Sequence, residues 1–441
     1  MKVIVLGFSH GGYEAVESLR LMDLDADIHW YDQQAFDIVK RNDAAVVEGI
    51  PAISSLTKTE LNEQRITVFE QTVMTRIDVT AHTVDIKNLV TGKTATDSYD
   101  KLILSPGIHA TKLPVPGVDL ENVLTVHSPQ DLMMTRKQAQ SETIKNVVVI
   151  GAGYVGMSVA DLFVQSKKHV TLIDVNQRPL STYLDQEITA PLTEAMVADG
   201  VTMAMGESVT EMVGTDHVTA VQTATHRYPA DLVILSAGGH ANTDWLAETV
   251  ALLPNGLIKT NEYMETSAPD IFAVGDATQI QYTPANTTLP VALSTNARRQ
   301  AIFAVRNLMG QRVVFPGVQG TSALPAFGYK FATTGLSEKT AARLNVASAS
   351  TVVKKQATFG LTEDVTFKLI YAPKTRQILG AQIISKQDLT ANINTISLAI
   401  EMHATLDQLA TADFFFQPEL STQWNVMSLA ALQALKTCNA L

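Results

Sequence analysis

The sequence contains the same strand–turn–helix–strand pattern twice. Residues 3–19 (VIVLGFSHGGYEAVESL) and residues 146–163 (NVVVIGAGYVGMSVADLF) each begin with an apolar, β-branched run, pass through a turn of small residues and continue as a helical pattern. A second apolar run then ends in an acid, Asp32 in the first copy and Asp174 in the second. Continuous apolar runs are typical of parallel strands that are buried on both faces. The repeat therefore predicts an α/β fold with two Rossmann-like units.

The small residues of both turns have the spacing of a dinucleotide-binding fingerprint. The first residue makes a tight turn, the second lets the backbone approach a pyrophosphate, and the third lets the helix pack on the strand. The helix N-terminus offers N–H groups to the phosphates, and the acid at the end of the next strand binds a ribose. These residues are Gly7, Ser9, Gly12 and Asp32 in the first copy, and Gly151, Gly153, Gly156 and Asp174 in the second. Two copies predict two nucleotide sites, and the alternative is two glycine-rich turns that bind no ligand.

The second site favours NADH over NADPH. No arginine directly follows Asp174, so the sequence offers no immediate partner for a 2′-phosphate, although Arg178 is close.

Two further segments favour a flavin, FAD, in the first site. Residues 99–107 (YDKLILSPG) and 266–278 (TSAPDIFAVGDAT) each read as an apolar strand that ends in a turn. Asp276 ends the second of them, where a carboxylate can bind the hydroxyl chain of a ribityl group. A turn-forming aspartate is the alternative interpretation of Asp276.

The last third of the chain changes character. Residues 365–385 read as two strands around a Pro–Lys–Thr turn, residues 389–410 as helical, and residues 424–435 as a final amphipathic helix. Changes of pattern indicate domain boundaries near Pro114–Pro116, near Ala241–Asn242 and near Pro316–Gly317.

Composition excludes several classes of function. The net charge of −11 disfavours nucleic acid and anionic membranes as partners. The chain has one cysteine, Cys438, so it can form no intramolecular disulfide, CxxC pair or thiolate metal cluster, and we expect no metal site. The longest apolar run, residues 146–164, contains three glycines and Asp161, which suits a strand and helix better than a membrane span. No signal peptide is visible, and we expect a cytoplasmic protein.

Together these segments resemble the FAD- and NAD(P)H-dependent pyridine nucleotide–disulfide oxidoreductases, in particular the NADH peroxidase and NADH oxidase branch. The resemblance covers essentially the whole chain. It implies an FAD-binding domain in two segments, residues 1–113 and 243–316, an inserted NAD-binding domain of residues 114–242, and a C-terminal α+β dimerisation domain of residues 317–441. It therefore also implies a homodimer or homotetramer. The stretches that carry it are MKVIVLGFSHGGYEAVE, NLVTGKTATDSYDKLILSPG, NVVVIGAGYVG, PNGLIKTNEYMETSAPDIFAVGDAT, STNARRQ and ADFFFQPELSTQWN.

The resemblance also implies roles for single residues. The first turn and Asp32 would hold the ADP half of FAD, Ser105, Gly107 and Asp276 the rest of it, and the second turn with Asp174 would hold NADH. Tyr154 matches a tyrosine that covers the flavin until nicotinamide displaces it. His10 and Arg298 match residues on the peroxide or oxygen side of the flavin. The alternatives are a packed aromatic for Tyr154, a phosphate contact for His10 and a surface ion pair for Arg298.

One expected catalytic residue is missing. The peroxidases and water-forming oxidases of the family use a redox cysteine near position 42, which cycles between thiolate and sulfenic acid. Asn42 stands at that position in the stretch VKRNDAA. An asparagine can cap a helix there but cannot form a sulfenate. Cys438 would replace the sulfur only by reaching in from a partner subunit.

Three other positions depart from the patterns of related enzymes. Ser158 replaces a glutamate near the nicotinamide, and His240 replaces an arginine. Gln417, in FFQP, stands where disulfide reductases carry a base histidine, which argues against disulfide substrates.

Two functions of different classes follow. The first is an FAD-dependent NADH:acceptor oxidoreductase that passes electrons directly to O2, giving hydrogen peroxide, or to another small acceptor such as a quinone or peroxide. In this reading Lys40 or Arg41 is a candidate to stabilise reduced flavin, and a solvated charged loop is the alternative. The second is a catalytically degenerate paralogue that holds FAD and NADH as a sensor or scaffold.

Overall fold

The computed structural model of the protein describes residues 1–23, 25–35, 58–357 and 364–438. In chain order the strands β1 to β25 are Lys2–Leu6, Asp27–Tyr31, Ile66–Phe69, Thr72–Asp78, Thr83–Asn88, Thr94–Ser98, Lys101–Leu104, Ile108–Ala110, Val123–Thr125, Asn146–Ile150, His169–Asp174, Thr202–Met205, Val209–Gly214, Val218–Thr223, Arg227–Pro229, Leu232–Leu235, Gly239–Ala241, Ile271–Ala273, Ile280–Tyr282, Thr287–Leu289, Ser322–Ala326, Tyr329–Gly335, Ala349–Gln356, Asp364–Tyr371 and Ile378–Ser385.

The α-helices of the described ranges are numbered α1 to α10. They are His10–Met22, Lys58–Glu63, Pro129–Gln140, Tyr154–Gln165, Gln186–Ala198, Ser294–Leu308, Glu338–Arg343, Asn392–Glu401, Leu406–Ala410 and Val426–Thr437. Two short 3₁₀ helices lie at Asp244–Leu246 and Thr283–Ala285.

The first sheet is parallel and is assembled from distant parts of the chain. Its strand order is β18-β7-β1-β2-β3, with every neighbouring pair parallel. Strand β18 joins it only after a second sheet has been completed. The apolar run Val3–Leu6 is buried on both faces, as expected for a central parallel strand.

The second sheet repeats this arrangement with the order β12-β11-β10-β16-β9, again parallel throughout. A short antiparallel ribbon of β8 and β17 lies where the chain passes between the two sheets. The two parallel sheets confirm the predicted α/β class. The domain limits given above stay predictions.

The third sheet is antiparallel, in the order β21-β22-β25-β24-β23. Phe331 and Ile384 of this sheet pack into the core of the second sheet, whereas Ile370 and Leu379 pack into the core of the first. The third sheet therefore contacts both nucleotide-binding units. Helices α8, α9 and α10 pack against the third sheet and form a separate hydrophobic core with it.

One local prediction needs correction. The run 389–410 is not continuously helical, because α8 ends at Glu401 and α9 begins at Leu406. His403 lies between them with φ of 55°, in the left-handed region, and Thr405 caps α9 with a capping box. No helix among the described residues is long and apolar enough to cross a membrane.

Candidate active site

The first glycine turn joins β1 to α1 and requires its small residues. Gly7 has φ of 105°, and a Cβ placed there would overlap the carbonyl oxygen of Ser105. A Cβ at Gly12 would overlap the carbonyl oxygen of Gly7, which also accepts a 2.7 Å hydrogen bond from Trp30 Nε1. The turn thus packs directly against Ser105, which follows the end of β7. Ser9 is the N-cap residue of α1.

The second turn, between β10 and α4, has the same geometry. Gly151 has φ of 104°, and a Cβ there would overlap the carbonyl oxygen of Ser236, while a Cβ at Gly156 would overlap the oxygen of Gly151. Gly153 is different, since the nearest atom to a Cβ would be Tyr183 Cε2 at 3.9 Å. The packing of the protein therefore does not require a glycine at position 153. A glycine here is expected where a ligand approaches the backbone.

Sequence reasoning identified Ser105 but missed Ser236. Ser236 lies at the end of β16 and donates from Oγ to the carbonyl oxygens of Ile150 and Gly151, at 3.0 and 2.9 Å. The signal was present, because LILSPG (102–107) and VILSAG (233–238) are a further part of the repeat.

The two strand-end acids contact their turns in the same way. Asp32 accepts hydrogen bonds from the backbone N–H of Phe8 at 2.7 Å and of Gln34 at 2.8 Å. Asp174 accepts from the N–H of Ala152 at 2.6 Å and of Asn176 at 2.7 Å. A carboxylate can accept about four hydrogen bonds, so each acid retains capacity for a diol.

Asp276 lies beside the first turn. Its neighbour Gly275 has φ of 83° and donates its N–H to the side chain of buried Gln300 at 2.9 Å. Burial raises the pKa of Asp276 to about 6, and no donor contacts its carboxylate among the described residues. A half-buried carboxylate without a partner is suited to accept hydrogen bonds from a ligand. Gly107, with φ of 66°, turns the chain after Ser105, and its carbonyl accepts from Asn242 N–H.

His10 and Arg298 meet at the N-terminal end of α1. Arg298, on α6, donates from Nη2 to His10 Nδ1 at 3.3 Å and from Nη1 to Glu14 Oε2 at 3.1 Å. Its guanidinium also lies 5.5 Å from the ring centre of Tyr13. Burial, and then the charge of Arg298, lowers the pKa of His10 to about 4, so the imidazole is neutral at neutral pH. Glu14 was missed from the sequence, although it lies one helical turn after His10.

Tyr154 begins α4 directly after the second turn. Its hydroxyl is 2.7 Å from Ser322 Oγ at the start of β21, and its ring packs edge-on against Tyr183, with centres 4.9 Å apart. Burial raises its pKa to about 12. Ser158 donates to the carbonyl oxygen of Tyr154 at 3.0 Å, so it lies within the same helical turn.

The guanidinium of Arg178 is hydrogen-bonded within the protein and not directed at Asp174. Its Nη1 donates to the carbonyl oxygen of Leu184 at 2.9 Å and to Thr189 Oγ1 at 2.8 Å. These contacts direct the guanidinium toward α5.

Three of the remaining predicted positions lie in other parts of the fold, and three lie outside the described residues. His240 is an exposed residue of β17, paired with His109 of β8, and Gln417 is exposed. Cys438 caps the end of α10 in the C-terminal core, with Sγ 3.9 Å from Tyr371 Oη. Asn42, Lys40 and Arg41 lie outside the described residues. Within the described ranges, no group of three or more His, Cys, Asp or Glu residues could hold a metal ion.

Two turn-and-acid sites in one chain, joined to a separate antiparallel C-terminal unit, are matched by two sequence families. Residues 1–301 match the pyridine nucleotide-disulphide oxidoreductase family, and residues 324–427 match its dimerisation domain. The chain belongs to this family.

Individual relatives agree with this assignment. The chain is 37% identical to an NADH oxidase of Enterococcus faecalis over 99% of its own length and 100% of the relative's. It is 31% identical to an NADH oxidase of Streptococcus pyogenes, over 98% and 99% of the two chains. Among solved structures, the water-forming NADH oxidase from Lactobacillus brevis bound to NADH superimposes with a TM-score of 0.94 and 30% identity, covering 100% of this chain and 99% of that one.

These matches confirm the predicted family and its NADH oxidase branch, the fold class and the assignment as an enzyme. The protein is an FAD- and NADH-dependent oxidoreductase.

Proposed function

We propose that the protein transfers electrons from NADH through FAD directly to O2, giving hydrogen peroxide, or to another small acceptor, without a cysteine relay. The observation that carries this proposal is the combination of two intact turn-and-acid sites with a chain whose only cysteine is Cys438.

The residues of the first site fit FAD. Gly7 and Gly12 permit the tight turn that a pyrophosphate requires, because a Cβ at either would overlap a backbone carbonyl oxygen, and the carboxylate of Asp32 is fixed at the turn. Asp276 adds a half-buried carboxylate with no donor among the described residues, as a ribityl hydroxyl would require. Ser105, Ser9 and Gly107 complete the proposed FAD contacts.

The residues of the second site fit NADH. Gly151, Gly153 and Gly156 form the phosphate turn, and Asp174 would bind the adenosine ribose. A 2′-phosphate would meet the carboxylate of Asp174, while Arg178 is engaged with Leu184 and Thr189. This supports NADH rather than NADPH.

When bound, FAD supplies two-electron chemistry, accepting hydride from NADH and releasing electrons to an acceptor. The protein's part is positioning and electrostatics. The guanidinium of Arg298 only donates hydrogen bonds, so Nδ1 of neutral His10 is the acceptor and the imidazole proton lies on Nε2. A donor and a positive charge together stabilise negative charge that develops on a reduced oxygen species. Tyr154, at the second turn, is the residue that nicotinamide would displace.

The cysteine decides the expected product. A thiolate–sulfenate cycle would allow peroxide to be reduced further, to water. The Lactobacillus brevis relative is water-forming. In this chain Asn42 replaces the sulfur, and Cys438 contacts Tyr371 in the C-terminal core. Hydrogen peroxide is therefore the product that these residues favour.

A homodimer is also part of the proposal, as is a cytoplasmic location. Residues 324–427 match a dimerisation domain. Near the end of this range, Phe415, Leu420 and Trp424 are exposed, and they are large apolar side chains that a partner subunit would cover.

Anaerobic titration of the holoenzyme with NADH tests the proposal. Loss of the oxidised flavin absorbance is expected. An unchanged spectrum would favour the alternative, a degenerate paralogue acting as a sensor or scaffold, to which the missing cysteine and Ser158 point. Asn42→Cys should confer peroxide-dependent NADH oxidation, and no gain would mean that other parts of the pocket have also diverged.

A further inference from the structure

A completely buried lysine lies where the second nucleotide-binding unit meets the C-terminal sheet. Lys368, in β24, has a side-chain exposure of 0%, and its Nζ contacts three carboxylates. The distances are 3.3 Å to Asp185 Oδ2, 3.0 Å to Glu187 Oε2 and 2.9 Å to Glu338 Oε2. Asp185 and Glu187 belong to the start of α5, so the lysine of one unit neutralises the acids of the other.

Asp185 is held by the C-terminal unit, from strands β24 and β25 and from the first residue of α7. Its Oδ2 accepts from Gln382 Nε2 at 2.8 Å and from the N–H of Glu338 at 3.2 Å, in addition to Lys368. Its own N–H donates to Gln382 Oε1 at 2.8 Å. Asp185 occupies the N-cap position of α5, yet its side chain makes no capping hydrogen bond. An aspartate at an N-cap ordinarily stabilises its own helix, so this one serves the contact between the units instead.

The segment before Asp185 lies over the second nucleotide turn. The N–H of Leu180 donates to the carbonyl oxygen of Ala152, within the turn, at 2.9 Å. The N–H of Tyr183 donates to the carbonyl oxygen of Leu180 at 2.8 Å, and its ring packs on Tyr154. Tyr183 is also the nearest side chain to the open space at Gly153. The segment is thus attached to the turn at Ala152 and to the C-terminal unit at Asp185.

We infer that Lys368 is a positioning residue for NADH. Through Asp185 it fixes residues 180–184 over the second turn, and so holds Tyr183 against Tyr154, the side chain that nicotinamide must displace. The C-terminal sheet would in this way set how readily the nicotinamide site opens. The inference rests on the proposed use of NADH.

The variant Lys368→Met is suited to the test. It removes the charge partner of the buried Asp185 carboxylate and so weakens the anchor of residues 180–184. The remaining bonds of Asp185 to Gln382 and to the Glu338 N–H, and the exposure of Glu187 and Glu338 to water (43% and 51%), should let the variant fold. Lys354→Met is the matched control, because Lys354 lies in the neighbouring strand β23, is 68% exposed and pairs with Asp364.

The experiment measures anaerobic flavin reduction in the holoenzymes by stopped flow, with NADH and separately with dithionite. For Lys368→Met, the NADH concentration at half-maximal rate should rise about tenfold, as removal of one coupled contact allows. The rate with dithionite and the FAD content should not change, and Lys354→Met should match the wild type. An unchanged NADH dependence in folded, FAD-loaded Lys368→Met overturns the inference, because a purely structural anchor would lower only the unfolding temperature.

Two further measurements separate the possible failures. If NADH does not reduce the flavin of the wild type, the proposed function is refuted, but calorimetric titration with NAD+ still tests the role of Lys368. Equal NAD+ affinity in the wild type and in Lys368→Met would refute that role. If Lys368→Met does not fold, Asp185→Asn replaces it, with Asp199→Asn at the other end of α5 as control. The same rise in the NADH requirement is expected for Asp185→Asn, and its absence would contradict the inference.

Discussion

Arg298 donates a hydrogen bond to Nδ1 of His10 at 3.3 Å and another to Glu14 at 3.1 Å. Because the guanidinium has no acceptor, the first bond determines the tautomer of a neutral imidazole whose pKa is lowered to about 4 by burial and by Arg298. Two helices, α1 and α6, thus present one charged and one neutral donor group at the first turn.

Replacing Arg298 should separate the two halves of the reaction. In Arg298→Met the pKa of His10 rises and the positive charge is lost, so reoxidation of the reduced enzyme by O2 should slow by at least about tenfold. Reduction by NADH should change little. Stopped-flow measurement of both half-reactions checks this, with Arg306→Met, at the far end of α6, as control. Equal slowing of both halves would contradict the assigned position on the oxygen side.

Binding of FAD should depend on pH through Asp276. Burial raises the pKa of this carboxyl from 3.8 to about 6, so in the folded apoprotein it keeps its proton up to about pH 6. The free energy of folding gained from this protonation is lost as pH rises through about 6. A hydroxyl donor favours the ionised carboxylate. The affinity for FAD should therefore fall as pH drops from about 7 to about 5, approaching tenfold per unit at the lower end. Fluorescence quenching of FAD by apoprotein measures it, and a pH-independent affinity equal to that of Asp276→Asn would argue against this contact.

Two glycines of the second turn should respond differently to alanine. Gly153→Ala meets only Tyr183, at 3.9 Å, so the protein should fold and retain FAD, while the KM for NADH rises about tenfold because the backbone can no longer approach the pyrophosphate closely. Gly156→Ala overlaps the carbonyl oxygen of Gly151 and should destabilise the unit itself, by about 1–3 kcal/mol. Steady-state kinetics and thermal unfolding distinguish them. Unchanged kinetics in Gly153→Ala would show that no phosphate lies at this turn.

The preference for NADH should reside in Asp174 and not in Arg178. Asp174→Ala removes the acceptor for a ribose diol, so kcat/KM for NADH should fall roughly tenfold, which corresponds to a loss of about 1–2 kcal/mol of binding free energy. The ratio of kcat/KM for NADH to kcat/KM for NADPH should fall with it. Arg178→Met should leave that ratio unchanged, since its guanidinium contacts Leu184 and Thr189. A loss of NADPH activity in Arg178→Met would show that Arg178 reaches the nucleotide.

The sequence predicted those parts of the molecule whose chemistry repeats at short spacing. The two glycine turns, their acids and the parallel strands before them follow from local pattern. Glu14 and Lys368 could not be found in this way. Arg298 lies 284 residues from Glu14, and Lys368 lies 181 residues from Glu187, so only the folded chain brings these charges together. The break between α8 and α9 was missed because the run 389–410 keeps a helical composition across His403.

Oxygen uptake by the holoenzyme with NADH, measured with and without catalase, tests the central claim most directly. A flavin that passes electrons straight to O2 should consume NADH and O2 in equal amounts, and catalase should return part of that oxygen. Oxidation of twice as much NADH as O2, with no oxygen returned by catalase, would mean that water is formed and would contradict the account.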